Sequence, residues 1–319
     1  MQSETHQENH GRHVLCVGAA VLDTLFRVHD MPSGQGKVLP YEMLQIAEGM
    51  ASSAAYTVHR MGGRASLWSA VGDDETGVRI LRDLSESGID TSGMTIAAGA
   101  RSALSTILID DEGERLIVPF YDHRLHENKR SCTPADLAPF DAVLVDVRWP
   151  DLALDVLSVA RQLGKHAILD GDVAPVETLE RLAPAASHII FSEPAAQRLT
   201  GLSDVSAMVP VLHARYPQTF IAVTAGPSGC YWTEVGDATV LFQSTMAVEA
   251  VDTLAAGDVF HGTFALAIAE GMESRAAIQL SSVAAALKCQ IFGGRTGTPT
   301  RAEAEVAMAA WLAETAPQS

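Results

Sequence analysis

The segment Asp252-Thr253-Leu254-Ala255-Ala256-Gly257-Asp258 runs straight into the apolar stretch Val259 to Ala269. Small residues lead into a helix that carries a carboxylate on its first turn. The first amides of a helix have no partner inside it, and with the aligned peptide dipoles they attract anions. Ala255, Ala256 and Gly257 have too little side chain to hold a phosphate away from those amides. Asp258 would stand beside that phosphate, a poor place for a carboxylate unless it takes up a proton there. The pairing suits phosphoryl transfer, where positioning and charge stabilisation supply most of the catalysis. The plainer reading is an Asp-capped helix after a tight turn. Against it, Phe260, Phe264 and Ile268 recur at four-residue spacing as a buried stripe, and Gly271 is placed to end the helix. Such anchorage is what a preorganised anion site needs.

Other polar residues fall where a parallel sheet would gather them. Strands are expected at Val14 to Val17, Ser66 to Val71, Val143 to Val147, Ala167 to Leu169, His188 to Phe191 and Phe220 to Val223. Helices are expected between them at Ser52 to Met61, Glu75 to Ser87, Leu152 to Leu163 and Ser206 to Arg215. Continuous apolar strands alternating with helices predict a parallel sheet covered on both faces, an α/β sandwich. Ligands of such sheets bind beyond the carboxyl ends of the strands. Asp23, Asp146, Arg148, Asp170, Asp172, Thr224 and Gly226 all follow strands in this way. Each alone reads equally as a helix cap; together they predict a site.

Two stretches break the rhythm. Residues 23–47 and 101–121 read as strands without helices between them, and Ser105 to Val118 reads as a hairpin turning at Asp111 to Gly113. They predict a small β-sheet standing off the main domain as a lid, whose exposed face is suited to pairing subunits. An edge extension of the main sheet is the alternative. Residues 1–12 are polar and are expected to be a flexible tail, leaving 13–315 as one domain with the lid inserted.

The composition excludes several classes. At 319 residues with 47% apolar content the chain can bury a full core. A net charge of -17 with no run of Lys or Arg argues against nucleic acid and anionic membrane as partners. Cys16, Cys132, Cys230 and Cys289 are too widely spaced for a zinc site or a redox pair. No secretory signal and no apolar run of membrane-spanning length is visible, so a reducing cytoplasm is expected. Gly18-Ala19-Ala20-Val21-Leu22-Asp23 has a single glycine, which excludes a dinucleotide-binding Gly-x-Gly-x-x-Gly after the first strand.

Taken together, these motifs resemble the ribokinase-like (PfkB-type) carbohydrate kinases over residues 13 to 300. Asp252 to Asp258 resembles that family's anion-hole motif, with Ala in its fourth place. Thr224-Ala225-Gly226-Pro227-Ser228-Gly229 is similar to its nucleotide segment, and Gly72-Asp73-Asp74-Glu75-Thr76-Gly77 and the Gly62-Gly63 helix ending also fit. The resemblance implies a three-layer α/β/α sandwich with a β-sheet lid. It implies an ATP-dependent kinase using Mg²⁺ on a sugar hydroxyl, with Asp258 as general base and the amides of Ala255, Ala256 and Gly257 as the anion hole. By resemblance, Asp23 and Gly49 would border the sugar, and Thr224, Gly226 and Gly229 the nucleotide. The carbonyls around Asp252, Leu254 and Gly293-Gly294 would hold a monovalent cation such as K⁺, and the family's habit implies a homodimer through the lid.

Departures from the pattern bear on the substrate. Where the family has Gly-Gly-x-x-x-Asn, this chain has Glu48-Gly49-Met50-Ala51-Ser52-Ser53, so Ser53 replaces an amide that bridges two hydroxyls. The Asn-x-x-Glu motif has become Ser192-Glu193-Pro194-Ala195; Glu193 either assumes the magnesium role or caps its helix. Asp146-Val147-Arg148-Trp149, Leu169-Asp170-Gly171-Asp172 and Asp258-Val259-Phe260-His261-Gly262 resemble the sulfofructose kinase branch. That likeness implies a ketose bearing a sulfonate or phosphate, read by Arg148 and by Lys37 on the lid. Pro119 stands where that branch has an Asn, so one expected contact is missing. A neutral sugar such as ribose or fructose is the rival substrate, and a non-catalytic sugar or nucleotide sensor is the reading of another class. Arg148 is alternatively a structural partner of Asp146 or Asp172, and His261 is expected to pack or cap within its helix.

Overall fold

The computed structural model describes residues 11–34, 36–127 and 130–315; residues 1–10 of the expected tail lie outside them. In chain order the strands are β1 (His13–Val17), β2 (Val21–Arg27), β3 (Glu42–Glu48), β4 (Arg64–Trp68), β5 (Ala70–Gly72), β6 (Thr95–Ala97) and β7 (Leu104–Ile109). They continue with β8 (Arg115–Phe120), β9 (Ala142–Val145), β10 (His166–Gly171), β11 (His188–Ser192), β12 (Phe220–Thr224), β13 (Cys230–Thr233) and β14 (Leu241–Gln243). An eight-stranded sheet has the order β14-β13-β12-β11-β10-β9-β1-β4. Its pairs are parallel from β4 to β12, and β13 and β14 add an antiparallel edge.

The strict alternation of side chains along a strand sorts the core into two layers. Leu15, Val17, Val143, Val145, Leu169 and Phe191 face one side, against Leu152, Val156, Leu179 and Met208 of the covering helices. Val14, Cys16, Leu144, Ile168 and Ile190 face the other, against Val58, Phe264, Leu266 and Ile278. Both faces of each strand are therefore apolar, which is why the strands read as unbroken runs. This is the expected three-layer sandwich.

Helix Ala256–Ala269, which carries Asp258, lies in the second layer. Phe260, Phe264 and Ile268 are buried as expected, but so is every other residue from Val259 to Ala269. The helix is enclosed on all sides rather than along one stripe. Phe264 stacks on Phe220 with ring centroids 5.5 Å apart. Each large side chain so enclosed contributes roughly 1.5–3 kcal/mol, so the N-terminus of this helix is firmly placed.

The lid is a four-stranded sheet of order β3-β2-β7-β8. Its hairpin turns over Asp110 to Glu114, with the Gly113 amide donating to the Asp110 carbonyl and Gly113 at φ 81°. Leu25, Ile46, Ile107 and Ile109 form the lid's own small core, on which Leu254 from the anion loop packs. Every residue of β8 is exposed. Pro119 is accommodated because β8 is the sheet's edge, where a missing N–H leaves no ladder bond unmade.

Two expected elements differ. The strand foreseen at Ser66 to Val71 breaks at Ser69: β4 stays in the main sheet, while the Ser69 carbonyl accepts from the Thr95 amide and β5 pairs with β6. The strand foreseen to Val147 stops at Val145, because the Asp146 carboxylate accepts from the Arg148 amide at 2.7 Å and turns the chain.

Candidate active site

The carboxyl ends of β10, β11 and β12, the lid strands β2, β7 and β8, and the anion loop enclose a cleft of about 460 Å³. Its lining includes Asp23, Glu48, Gly49, Arg115, Pro119, Tyr121, Arg148, Asp170, Asp172, Thr224, Ala255, Ala256, Gly257, Asp258 and His261. Segments as far apart in the chain as those of Asp23 and Asp258 meet there.

At one end is the helix N-terminus. Ala255 occupies the N-cap position with no side-chain cap. Its φ of 61° makes it the sole non-glycine residue in the left-handed region among those described. A Cβ in that region costs about 1–2 kcal/mol, so the loop is held in shape against local strain. Within the described residues, the Ala255, Gly257 and Asp258 amides meet no acceptor, whereas the Ala256 amide donates weakly to the Thr253 carbonyl at 3.3 Å. Three open amides thus face the cleft, but one of them belongs to Asp258 rather than to Ala256. Nothing lies within 4 Å of the space a Cβ on Gly257 would take.

Asp258 retains surface toward the cleft while protein encloses the rest. Its proton affinity is raised well above that of an ordinary carboxyl, first by burial and then by Asp170, Glu48, Asp172 and Asp146. Asp170 is raised likewise by burial and by Asp172. One Asp170 oxygen lies 3.4 Å from His261 Nε2 and has no hydrogen-bond partner otherwise. His261 Nδ1 is 2.7 Å from the Gly257 carbonyl, and burial lowers its pKa. His261 Nε2 is also 3.3 Å from the Ile190 carbonyl, so each ring nitrogen meets a backbone acceptor and the ring is fixed between β11 and its own helix. His261 therefore braces the first turn of the helix, as expected of a residue that caps, and also touches the cleft.

On the lid side stand Asp23 and Glu48. Asp23, on lid strand β2, accepts from the Ser105 hydroxyl at 2.6 Å, and burial pushes its pKa up to about 6. Glu48, at the end of β3, is pushed by burial up to about 7. It accepts from the Ser53 hydroxyl at 2.5 Å and from the Arg295 amide at 2.7 Å. Gly49 follows Glu48 at φ 116°, where a Cβ would come within 2.6 Å of the Ala19 carbonyl.

The expected sugar contacts of Ser53 and Lys37 need correction. Ser53 is fully buried and turned to Glu48, so the shortening from Asn to Ser leaves Glu48, not Ser53, in the cleft. Lys37 is exposed in the irregular segment between β2 and β3 and does not line the cleft. Arg148 does line it, with one guanidinium nitrogen 3.2 Å from the Val173 carbonyl and another 3.6 Å from Asp172. Asp146, expected at the site, is instead spent on the Ala19, Ala51 and Arg148 amides.

The family model described as "pfkB family carbohydrate kinase" matches residues 12–301. This chain belongs to the pfkB family of carbohydrate kinases. Its chemistry is phosphoryl transfer to an alcohol group. A crystal structure of a candidate ribokinase from Agrobacterium tumefaciens is 82% identical, covers 95% of this chain and 99% of its own, and superposes with a TM-score of 0.94. Ribokinase of Bacillus subtilis (strain 168) is 26% identical over 92% of this chain and 98% of its own length. Fructokinase of Klebsiella pneumoniae is 26% identical over 86% and 90%.

On this pfkB scaffold the nucleotide motif divides. Thr224, at the end of β12, lines the cleft. Gly226 and Gly229 lie outside the lining and shape the turn that follows; a Cβ on Gly229 would reach 2.3 Å from the Gln243 carbonyl. Glu193 begins the helix Glu193–Thr200 and lies outside the lining too. It is not the N-cap, which is Ser192, and makes no capping bond; its charge sits at the helix's positive end. The carboxylate that is half exposed in the cleft is Asp172, which accepts from the Ser192 hydroxyl at 3.0 Å. Among the described residues no cluster of three acidic, His or Cys side chains is arranged to hold a metal unaided.

The monovalent-cation expectation at Asp252 and Leu254 also fails to fit. The Asp252 carbonyl accepts at 2.6 Å from the ammonium of Lys288, a fully buried lysine. A second cation on that carbonyl would adjoin a fixed positive charge.

Arg115 was not foreseen. It projects from β8 into the cleft and donates to the Thr253 hydroxyl at 2.8 Å, so the lid touches the anion loop. Its signal was present: Arg115, Ile117, Pro119 and Tyr121 alternate along β8 and all line the cleft. Arg295 gave no such signal. It is buried, with its amide on Glu48 and its guanidinium on the Ala47 carbonyl and Asp83, and its partners are more than 200 residues away.

Proposed function

We propose that this kinase transfers the γ-phosphoryl group of ATP to a primary hydroxyl of a neutral pentose or ketose. The observation that carries this reading is the placement of Asp258 and its open helix amides in one cleft with the lid carboxylates Asp23 and Glu48. In this reading Asp23 and Glu48 accept hydrogen bonds from sugar hydroxyls. Asp258 takes the proton of the attacking hydroxyl; a base whose pKa is raised toward the working pH does this best. The amides of Ala255, Gly257 and Asp258 take up charge on the transferred group, one such donor being worth roughly 3–4 kcal/mol.

Arg115 is a candidate for the same charge from the lid side, which would couple closure to chemistry. Thr224 borders the nucleotide. Magnesium arriving with ATP would bridge phosphate oxygens and neutralise them. Such an ion keeps most of its waters and needs one or two carboxylates, and Asp172 is the accessible one. The ribokinases and fructokinase among the relatives accord with a neutral substrate. So does Arg148, which already serves Asp172 and Val173, together with the absence of Lys37 from the lining and of a donor at Pro119.

A second reading, a ketose with a sulfonate or phosphate at its far end, keeps one support: Arg148 and Arg115 are the two cations lining the cleft. The deciding experiment is ATP turnover with Mg²⁺ on free pentoses and ketoses, their 6-phosphates and 6-deoxy-6-sulfofructose, each repeated with Arg148→Ala. The proposal expects neutral sugars to be preferred and the variant to change their KM little. Selective turnover of an anionic sugar, lost in Arg148→Ala, would overturn it in favour of the second reading. Binding of sugar and nucleotide without turnover of any would leave a sensor instead. We further infer a cytoplasmic setting and a homodimer joined by the exposed face of the lid, where Leu116, Val118 and Phe120 are exposed; sedimentation analysis of Val118→Glu tests the dimer, which the variant is expected to dissociate.

A further inference from the structure

Lys288 is fully buried, and its ammonium is placed at the root of the anion loop. It donates to the Asp252 carbonyl at 2.6 Å and lies 3.2 Å from the Asp252 carboxylate. Burying a charge of this kind is costly unless it is paired and hydrogen-bonded, and here one residue supplies both a carboxylate and a carbonyl. Asp252 is in turn the knot of the local structure. One carboxylate oxygen accepts from the Leu254 amide at 2.8 Å, inside the anion loop. The other accepts from the Gly293 and Gly294 amides at 3.0 and 2.9 Å. The Val251 and Asp252 amides both donate to the carbonyl of Cys289, the residue after Lys288.

The loop that follows holds Ala255 in a left-handed conformation, so something must over-determine its start. Glu48, Asp252 and Asp258 all gather near this loop, and a fixed positive charge offsets them. These are the duties that an exchangeable cation on the loop's carbonyls would perform, and the Asp252 carbonyl is already engaged.

We propose that the Lys288 ammonium is a built-in cation for the anion loop, which orders the nucleotide-binding end of the cleft without an exchangeable monovalent cation. Lys288 is on this account a positioning residue: it acts through Asp252 on the amides of Ala255, Gly257 and Asp258. The Asp252 carbonyl that an exchangeable cation would use is taken by this ammonium.

The test is affinity for β,γ-imido-ATP by calorimetry, with melting temperature measured alongside, in KCl, NH₄Cl and tetramethylammonium chloride at equal ionic strength. The wild-type protein and Lys288→Ala are compared. For the wild type, affinity and melting temperature are expected to agree across the three salts, within about twofold in Kd. Lys288→Ala is expected to bind the analogue at least about tenfold more weakly in tetramethylammonium and to recover part of that loss in KCl or NH₄Cl, with a rise in melting temperature. A wild-type affinity that rises about tenfold or more with K⁺ would overturn the proposal. So would a variant that binds the analogue normally in every salt, or one whose loss no small cation repairs. If Lys288→Ala does not fold, the wild-type comparison alone decides. Failure of the nucleotide reading is distinguishable, since the wild type would then bind no analogue in any salt.

Discussion

The two parts of the cleft, proposed above as its phosphoryl end and its sugar end, are built on different principles. The phosphoryl end is made of backbone: three open amides on a helix enclosed on every side, led by a strained Ala255. The sugar end is made of side chains, Asp23 and Glu48, held by partners from Ser105, Ser53 and Arg295 on three other segments. Backbone on a packed helix has almost no freedom to adapt, which suits a charge distribution common to every transfer. Side chains on a lid sheet are exchangeable without disturbing the core, which suits recognition that varies from one sugar to another. The difference teaches that substitutions at the first end should act on rate and at the second on affinity.

The largest expected effect comes from the phosphoryl end. Asp258→Asn should lower kcat by about 10²–10⁴, measured in a coupled assay at saturating sugar. The pH profile of kcat/KM should carry an acid limb well above the usual carboxylate range, because the folded pKa of Asp258 is raised and activity requires its deprotonated form. At the sugar end, Asp23→Ala should weaken sugar binding by about 10- to 100-fold, the loss of one or two hydrogen bonds to a charged group, with a smaller change in kcat.

Glu48 gives a stability prediction. Its folded pKa of about 7 exceeds that of a free glutamate, so the native state binds the extra proton. Its contribution is therefore present below the free value and lost as pH rises through about 7. Glu48→Gln should flatten that fall and, above neutrality, leave the variant more stable than the wild type by about 2–3 kcal/mol less any cost at the Ser53 contact. Urea unfolding at two pH values reads it. The smallest effect is at Ala255→Gly, which removes the left-handed strain. Stability should rise by about 1 kcal/mol, while a less determined loop costs some rate.

The same contrast explains what could be read from the chain. The phosphoryl end is one continuous segment, so composition and position exposed it; what they could not expose was which amides stay open, since that depends on the Thr253 carbonyl reaching the Ala256 amide. The three-layer fold was legible because every buried strand is apolar on both sides. The lid was legible from the Asp111 to Gly113 turn. The sugar end was only half legible: Asp23 follows a strand, but Ser53 reads as a substitute for a longer side chain until its hydroxyl is found on Glu48. Lys37 and Arg148 show that positive charge alone is a poor guide, since one lies in an exposed segment and the other is already paired. Lys288 and Arg295 lie in helical or turn sequence, and their importance comes from partners distant in the chain.

The central claim, that chemistry and recognition are divided between the ends, is tested most directly by measuring kcat and sugar Kd side by side for Asp258→Asn and Asp23→Asn. The account predicts that Asp258→Asn collapses kcat with sugar Kd nearly unchanged, and that Asp23→Asn weakens sugar Kd with kcat largely kept. Loss of the same parameter in both variants, or unchanged turnover in Asp258→Asn, would contradict it.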